Sequence, residues 1–521
     1  MLAPIKIDRI HDVVLKVRPI FIDIAHELAY EGPCRFGKGQ ELEPEFDHMI
    51  NNEAYKGFLM GLKYNMPEGV EILEPRRLQG HTDGWCISEE EMKKLCQGAD
   101  ETDFYFVSTT GRTSEMIVEF AQMVKKPTAF IGNDFGTTIN TSAMLARGIE
   151  CYAFMNWDEV RLQMRVLRTK KALAETRVLC VTRFNGNLSL QSANDSFIDL
   201  EKVHQVTGAK FRFANLHEVL DQLEEIDPTT NHTLPGRTMD NINAEDRKEI
   251  ERITDELIAG AAECDMDRED VLRSVKGYYL IQKLLHKNEC NAFTMPCPDT
   301  CSTCRINKEK LTFCLTHSLD NESGIPSCCE YDIAAVLSKS VLQTLANKPS
   351  YMGNTAVLTT PDGKLIDDGC MMHFSKDHIG PDKWAALDGM PNMIMTGHSV
   401  PNRRMKGFDA ELAPYALRSF AYSGFGATMR LDFDQDAGQV VTMCRFDPNC
   451  EKLLISKGVL KGGFGYKMQN CTLGALIQVE DADKFFRMQI QVGNHVPFVY
   501  GDYVNELIAL AQSLGLEALV C

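Results

Sequence analysis

The run D-F-Y-F-V-S at residues 103–108 has the length and β-rich composition of a buried strand. T-T-G-R (109–112) follows it, and then a helical pattern over 113–126. The same unit repeats. P-T-A-F-I-G (127–132) is a second strand, with a helix over 137–147. Residues 150–155 are a third, with a helix over 157–174, and R-V-L-C-V-T-R-F (177–184) is a fourth. Short β-rich runs alternating with helical runs predict parallel, doubly wound α/β layers.

Working outward, an amphipathic helix is predicted over 10–30. A second α/β unit opens near Val178, with a strand over 209–214 and a helix over 216–225. A polar loop follows over 227–243, then helices over 245–264 and 267–287. A strand over 291–295 comes next, and a helix over 331–346 that runs straight on from Glu330. After Pro349 strands dominate, over 427–433, 440–446, 452–459 and 471–479. Helices over 481–489 and 504–514 close the chain. The fold class is therefore α/β, with two doubly wound domains (1–177 and 178–349) and a β-rich C-terminal domain (350–521).

The 521 residues suffice for several cores. An apolar content of 44% and a charged content of 25% are those of a soluble globular chain. No window approaches the roughly 18 consecutive apolar residues of a membrane span. The N-terminal twelve residues carry charges where a signal peptide needs its apolar stretch, so the expected location is the cytoplasm. A formal charge of −18 repels phosphate backbones and argues against nucleic acid as a partner. Most of the 18 cysteines, spread over a long chain, read as reduced, buried thiols.

Three segments of the last third each carry one ligand-type side chain in a Gly/Pro-rich setting. They are Glu330 in S-G-I-P-S-C-C-E-Y-D, His398 in T-G-H-S-V-P-N-R-R-M and His495 in V-G-N-H-V-P-F-V-Y-G-D-Y. One carboxylate and two imidazoles can converge on a divalent ion, and mixed nitrogen and oxygen ligands suit Mn²⁺ or a similar cation. The plainer readings are a helix N-terminal charge for Glu330 and structural roles for two histidines. The apolar approach 324–329 and the similar turns around both histidines favour the metal.

A rival constellation is C-x3-C-x2-C at Cys297, Cys301 and Cys304, a spacing suited to an iron–sulfur or zinc site. Thr303 stands where radical SAM proteins carry an aromatic, and a Pro-bounded turn with free thiols is the plainer reading. G-V-L-K-G-G-F-G (458–465) has the glycines of a phosphate loop but no following Lys-Ser/Thr, so a β-turn is expected there. Thr109–Thr113 could bind an anion or simply cap a helix.

The run from Phe313 through S-L-D-N-E-S-G-I-P-S-C-C-E-Y-D (318–332), then G-H-S-V-P-N-R-R-M-K-G-F (397–408) with P-Y-A-L-R-S (414–419), and G-N-H-V-P-F-V-Y-G-D-Y (493–503) resemble motifs of the L-fucose isomerase and L-arabinose isomerase superfamily, in family order. The resemblance implies two Rossmann-like domains before a β-rich one, and a Mn²⁺-dependent aldose–ketose isomerase acting on a small sugar. It implies a homo-oligomer, a trimer or hexamer, with its site at a subunit boundary. It assigns Glu330 as metal ligand and catalytic base, and His398 and His495 as metal ligands. Arg418 and Tyr500 are expected at the substrate. The family's second acidic ligand falls where this chain has Asn354, which can offer an oxygen to metal or substrate but cannot act as a base. Residues 367–395, with Cys370, His373, Asp377 and His378, look like an insertion.

The chemistry implied is proton transfer through a cis-enediol, with Glu330 moving a proton between C1 and C2. Asp332, Asp377 or a metal-bound water are candidates for a second acid/base. Trp85, Phe498 and Tyr500 are candidates for stacking on the sugar. The alternatives are another metal-assisted enolate reaction on a sugar or sugar acid, and a silent sugar-binding protein on the same scaffold.

Overall fold

Residues 15–24, L-K-V-R-P-I-F-I-D-I, form a strand rather than the predicted helix. Seven of the ten are β-branched or otherwise apolar, and all but Lys16 are buried, which an amphipathic helix would not permit. Pro19 has no N–H to give a ladder. It falls at the break between two neighbours, one paired to residues 15–17 and the other to 20–24.

This computed structural model describes residues 4–32, 37–80, 87–110, 113–183, 194–225, 241–366 and 372–521. Trp85, Gly111, Arg112 and Cys370 lie outside the described residues, as does the His373 side chain. The strands are β1 (Leu15–Ile24), β2 (Val70–Ile72), β3 (Arg76–Gly80), β4 (Phe104–Thr109), β5 (Thr128–Ile131) and β6 (Cys151–Phe154). They form one wholly parallel sheet, in the order β2-β1-β4-β5-β6 with β3 also on β1. Helices Ser114–Val124, Phe135–Leu145 and Trp157–Ala174 follow their strands as the alternation predicts. Val13–Arg168 is one compact unit; Met1–Asp12 together with Thr169–Cys521 is the other.

The larger unit holds β7 (Arg177–Thr182), β8 (Lys210–Asn215), β9 (Glu263–Cys264), β10 (Ala292–Thr294) and β11 (Ser327–Cys328). A second parallel sheet runs β11-β10-β7-β8. Helix Arg268–Lys287 contributes Val275, Tyr278, Leu280 and Ile281 to its core.

Beyond these come β12 (Asn354–Val357), β13 (Met393–Gly397), β14 (Tyr415–Ser419), β15 (Ala427–Leu431), β16 (Val440–Phe446), β17 (Lys452–Phe464), β18 (Gly474–Val479), β19 (Phe498–Tyr500) and β20 (Glu517–Val520). The main sheet runs β12-β13-β18-β17-β16-β19, antiparallel throughout, with β20 added parallel to β17. β14 pairs with β15 and β9 in a small third sheet. The molecule is thus α/β with parallel layers followed by an antiparallel, sheet-rich region.

The glycine run 458–465 is neither a phosphate loop nor a turn. Most of it belongs to β17, which carries a bulge between Leu460 and Gly462. A Cβ at Gly458 would lie 2.5 Å from Ile477 Cγ2 on β18, so glycine serves close strand packing there. Among the described residues no helix is long and apolar enough to cross a membrane.

Candidate metal centre

Each of the three ligand-type side chains sits at the end of a regular element. Glu330 follows β11 by two residues, at the C-terminal edge of the parallel sheet, where open α/β sheets place their sites. It does not open a helix as predicted. Glu330 and Tyr331 both adopt left-handed backbone (φ 60° each), and the helix begins at Ile333 with Asp332 as its N-cap. Two successive non-glycine residues in that region cost about 1–3 kcal/mol each, a strain that concentrates at functional sites. Tyr331 N–H donating to the Met295 carbonyl at 2.9 Å helps to hold the turn.

His398 follows β13. The buried Tyr351 hydroxyl clamps its backbone, accepting from the His398 N–H at 2.7 Å and lying 2.6 Å from its carbonyl. His495 sits between helix Ala482–Val492 and β19. The turn before it depends on Gly493, at φ +114°, where a Cβ would meet the Asp195 carboxylate at 2.4 Å and Arg445 Nε at 2.8 Å.

Ligand atoms of Glu330, His398 and His495 all lie within 4.8 Å of one another. His398 Nε2 is 3.1 Å from Glu330 Oε1 and His495 Nε2 is 3.4 Å from Oε2. Both imidazoles are 2% exposed, while the Glu330 side chain is 27% exposed, so the cluster opens through its carboxylate. Among the described residues this is the only convergent group of three such side chains; Cys297, Cys301 and Cys304 form none.

The His495 anchor is Asp332, which sequence reasoning raised only as an acid/base candidate. Asp332 Oδ2 accepts from His495 Nδ1 at 2.9 Å and from Arg445 Nη1 at 2.7 Å, while Oδ1 caps the Ala335 N–H at 3.0 Å. Arg445 also donates to the His495 carbonyl at 2.7 Å. Asp332 and the Arg445 side chain are fully buried. With Nδ1–H committed to Asp332, His495 presents Nε2, a buried nitrogen with no hydrogen-bond partner. An orphaned ring nitrogen aimed beside a carboxylate and a second imidazole fits a cation, and the Asp332–His495 pair has the form of a carboxylate–histidine–metal relay. Sequence reasoning missed Arg445; its one signal was an arginine inside the apolar strand V-V-T-M-C-R-F.

Within the cluster the carboxylates and the imidazoles favour one another's charged forms. Burial works to raise the Glu330 pKa, but the hydrogen bond to His398 and the charges of both histidines bring it to about 2. Burial lowers His398, yet Cys471 and Glu330 lift it to about 9. Burial lowers His495 too, and Asp332 reverses the sign and raises it. Asp332 is held well below the usual carboxylate range: burial opposes this, and Arg445 and His495 prevail.

The remaining predicted residues lie elsewhere or at the edge. Asn354 is bridged to His495 through the backbone, and its side-chain oxygen accepts from Asn494 Nδ2. Arg418 is tied to Glu263 at 2.5 Å and to Asp265, and lines a separate cavity of about 340 Å³ with Tyr422, Lys467 and Gln469. The Tyr500 hydroxyl donates to Asp436 at 3.0 Å and its ring packs on Phe498, both buried. Asp377 lies on helix Met372–Ile379.

No protein-family profile matches the chain. The chain is similar to proteins named sulfoquinovose isomerase from Priestia aryabhattai and from Priestia megaterium (strain ATCC 12872 / QMB1551). Each is 24% identical over 384 residues, which cover 71% of this chain and 71% of the relative.

Proposed function

We propose that this chain is a metal-dependent aldose–ketose isomerase. Glu330, His398 and His495 hold the divalent ion, and Glu330 carries the proton between adjacent carbons. The observation that carries the reading is the convergence of these three side chains from separate elements, with the His495 nitrogen orphaned toward the other two. The distant likeness to sugar isomerases supports the reaction class.

A bound Mn²⁺ or similar cation would supply Lewis-acid polarisation of the sugar carbonyl and offset the negative charge that develops beside it. The chain does the rest. Glu330 is ionised at neutral pH and therefore able to accept a proton. It would take the C2 proton of an open-chain aldose and return it to C1. Asp332, sealed and fully committed, positions His495 and moves no proton of the substrate. Asn354 would offer an oxygen at the edge of the site. Arg418 and Tyr500 would meet the part of the substrate that reaches beyond the cluster. The working form would be a cytoplasmic homo-oligomer, a trimer or hexamer, which light scattering tests.

The substrate panel is sulfoquinovose, pentoses, hexoses and 6-deoxyhexoses, each with Mn²⁺ in deuterated water. Ketose formation with deuterium uptake is the expected result, and Glu330→Gln should lower kcat by about 10³–10⁴-fold while the fold survives. Full activity in that variant, or a bound sugar that never exchanges, sinks the assignment.

A further inference from the structure

Isomerisation needs two kinds of proton movement, at carbon and at oxygen. Glu330 can serve the carbons. The oxygens need another group, and the position where the resemblance places a second acid holds Asn354. Asp332 is fully buried and both its oxygens already accept hydrogen bonds from the protein.

One further carboxylate touches the same framework. Asp195 Oδ2 accepts the Asn494 N–H at 2.5 Å, one residue before His495. The Asn494 amide donates in turn to Asn354 Oδ1 and accepts the Thr355 N–H at 3.1 Å. Arg445 binds the Asp195 carbonyl at 3.0 Å and lies 3.4 Å from Oδ2, so one guanidinium ties Asp195 to Asp332 and His495. Asp195 is 34% exposed. Of the three carboxylates on this framework, Glu330 and Asp195 are open to solvent and Asp332 is sealed.

We infer that Asp195 is the second acid/base of the site, carrying the hydroxyl proton from O2 to O1 of the sugar. The inference rests on the isomerase reading. In the forward direction Glu330 removes the C2 proton and C1=C2 forms as the carbonyl electrons move to O1. Asp195 takes the proton from O2 and delivers it to O1, while C2=O forms and Glu330 returns its proton to C1. Both carboxylates end as they began, and no oxidant or other reactant is required.

The two roles separate experimentally, because Glu330 alone can remove and return the C2 proton. Asp195→Asn keeps an oxygen for the Asn494 N–H, so the His495 turn should persist, which Mn²⁺ stoichiometry and the melting temperature check. With the best sugar of the panel, ketose formation should fall about 100-fold. Deuterium uptake at C2 of recovered aldose should fall less than about threefold, and Asp195→Glu should restore part of the turnover. Parallel loss of exchange and ketose formation, loss of bound Mn²⁺, or unchanged turnover would each overturn the assignment. A wild-type protein that neither exchanges nor isomerises any sugar overturns the isomerase reading itself, a result distinct from failure at Asp195 alone.

Discussion

His495 and His398 face the same carboxylate, but different chemistry holds each from behind. A buried carboxylate, itself paired with a buried guanidinium, takes His495 Nδ1. His398 is backed by sulfur. Cys471 is among the groups that raise its pKa, and Cys329 Sγ lies 3.4 and 3.5 Å from its two nitrogens. A sulfur equidistant from both nitrogens sits beside the ring and does not lie in line with either. The carboxylate fixes tautomer and direction; the thiols fill space and tune charge. The difference teaches that His495 is the rigid side of the cluster and His398 the adjustable one.

The strongest way to break this contrast is at Asp332. Its removal in Asp332→Ala strips Arg445 of its closest carboxylate. Losing one partner of a buried pair costs about 3–5 kcal/mol. The low end is expected, because Asp195 stands 3.4 Å from the same guanidinium. Asp332→Asn keeps the shape and should weaken Mn²⁺ binding about 10–100-fold. Calorimetric titration and thermal unfolding read both effects. Metal affinity within twofold of wild type in Asp332→Asn would remove the rigid anchor from the argument.

Much of the frame was legible in local pattern. Val440–Phe446 and Val504–Leu514 form over the predicted residues because strong periodicity and nearby breakers fix them without tertiary help. The 15–24 strand was misread because its apolar residues can be fitted to a helical face, and only the parallel neighbours on both sides decide the matter. At the site, ligand types and turn residues pointed to Glu330, His398 and His495. The left-handed pair at Glu330 and Tyr331 carried no signal, since neither residue is glycine or asparagine. The Asp332–Arg445–His495 anchor and the place of Asp195 come from chain segments that meet only in the folded sheet. Spacing cannot show such meetings.

The adjustable side should show itself in pH dependence. His398 is raised from the usual 6.5 to about 9. Without metal, the stability it contributes is complete below pH 6.5 and is lost as pH rises through about 9. With metal the slope reverses, because the ion replaces the proton. Mn²⁺ affinity should then rise by about tenfold per pH unit for each histidine that still carries its proton, with at least close to one proton released per ion near pH 7.5, since His495 is raised as well. Titrations in buffers of different ionisation enthalpy count that proton. Affinity flat across the range would mean that His398 does not bind the ion through the nitrogen that titrates.

Cys471→Ala should give the smallest effect and the sharpest discrimination. The thiol is one of the groups that raise His398, so its loss moves the histidine back toward its ordinary range. The whole curve of Mn²⁺ affinity against pH should therefore shift to lower pH. A move of the histidine by one pKa unit changes the affinity about tenfold, which sets the scale of the change at any one pH below 9. Above pH 9 the variant and the wild type should converge, because His398 is neutral in both. Asp332→Asn should stay weaker at every pH, since orientation is lost along with charge. If Cys471→Ala and Asp332→Asn gave the same offset across the range, the two histidines would be equivalent supports and the division into rigid and adjustable sides would fail.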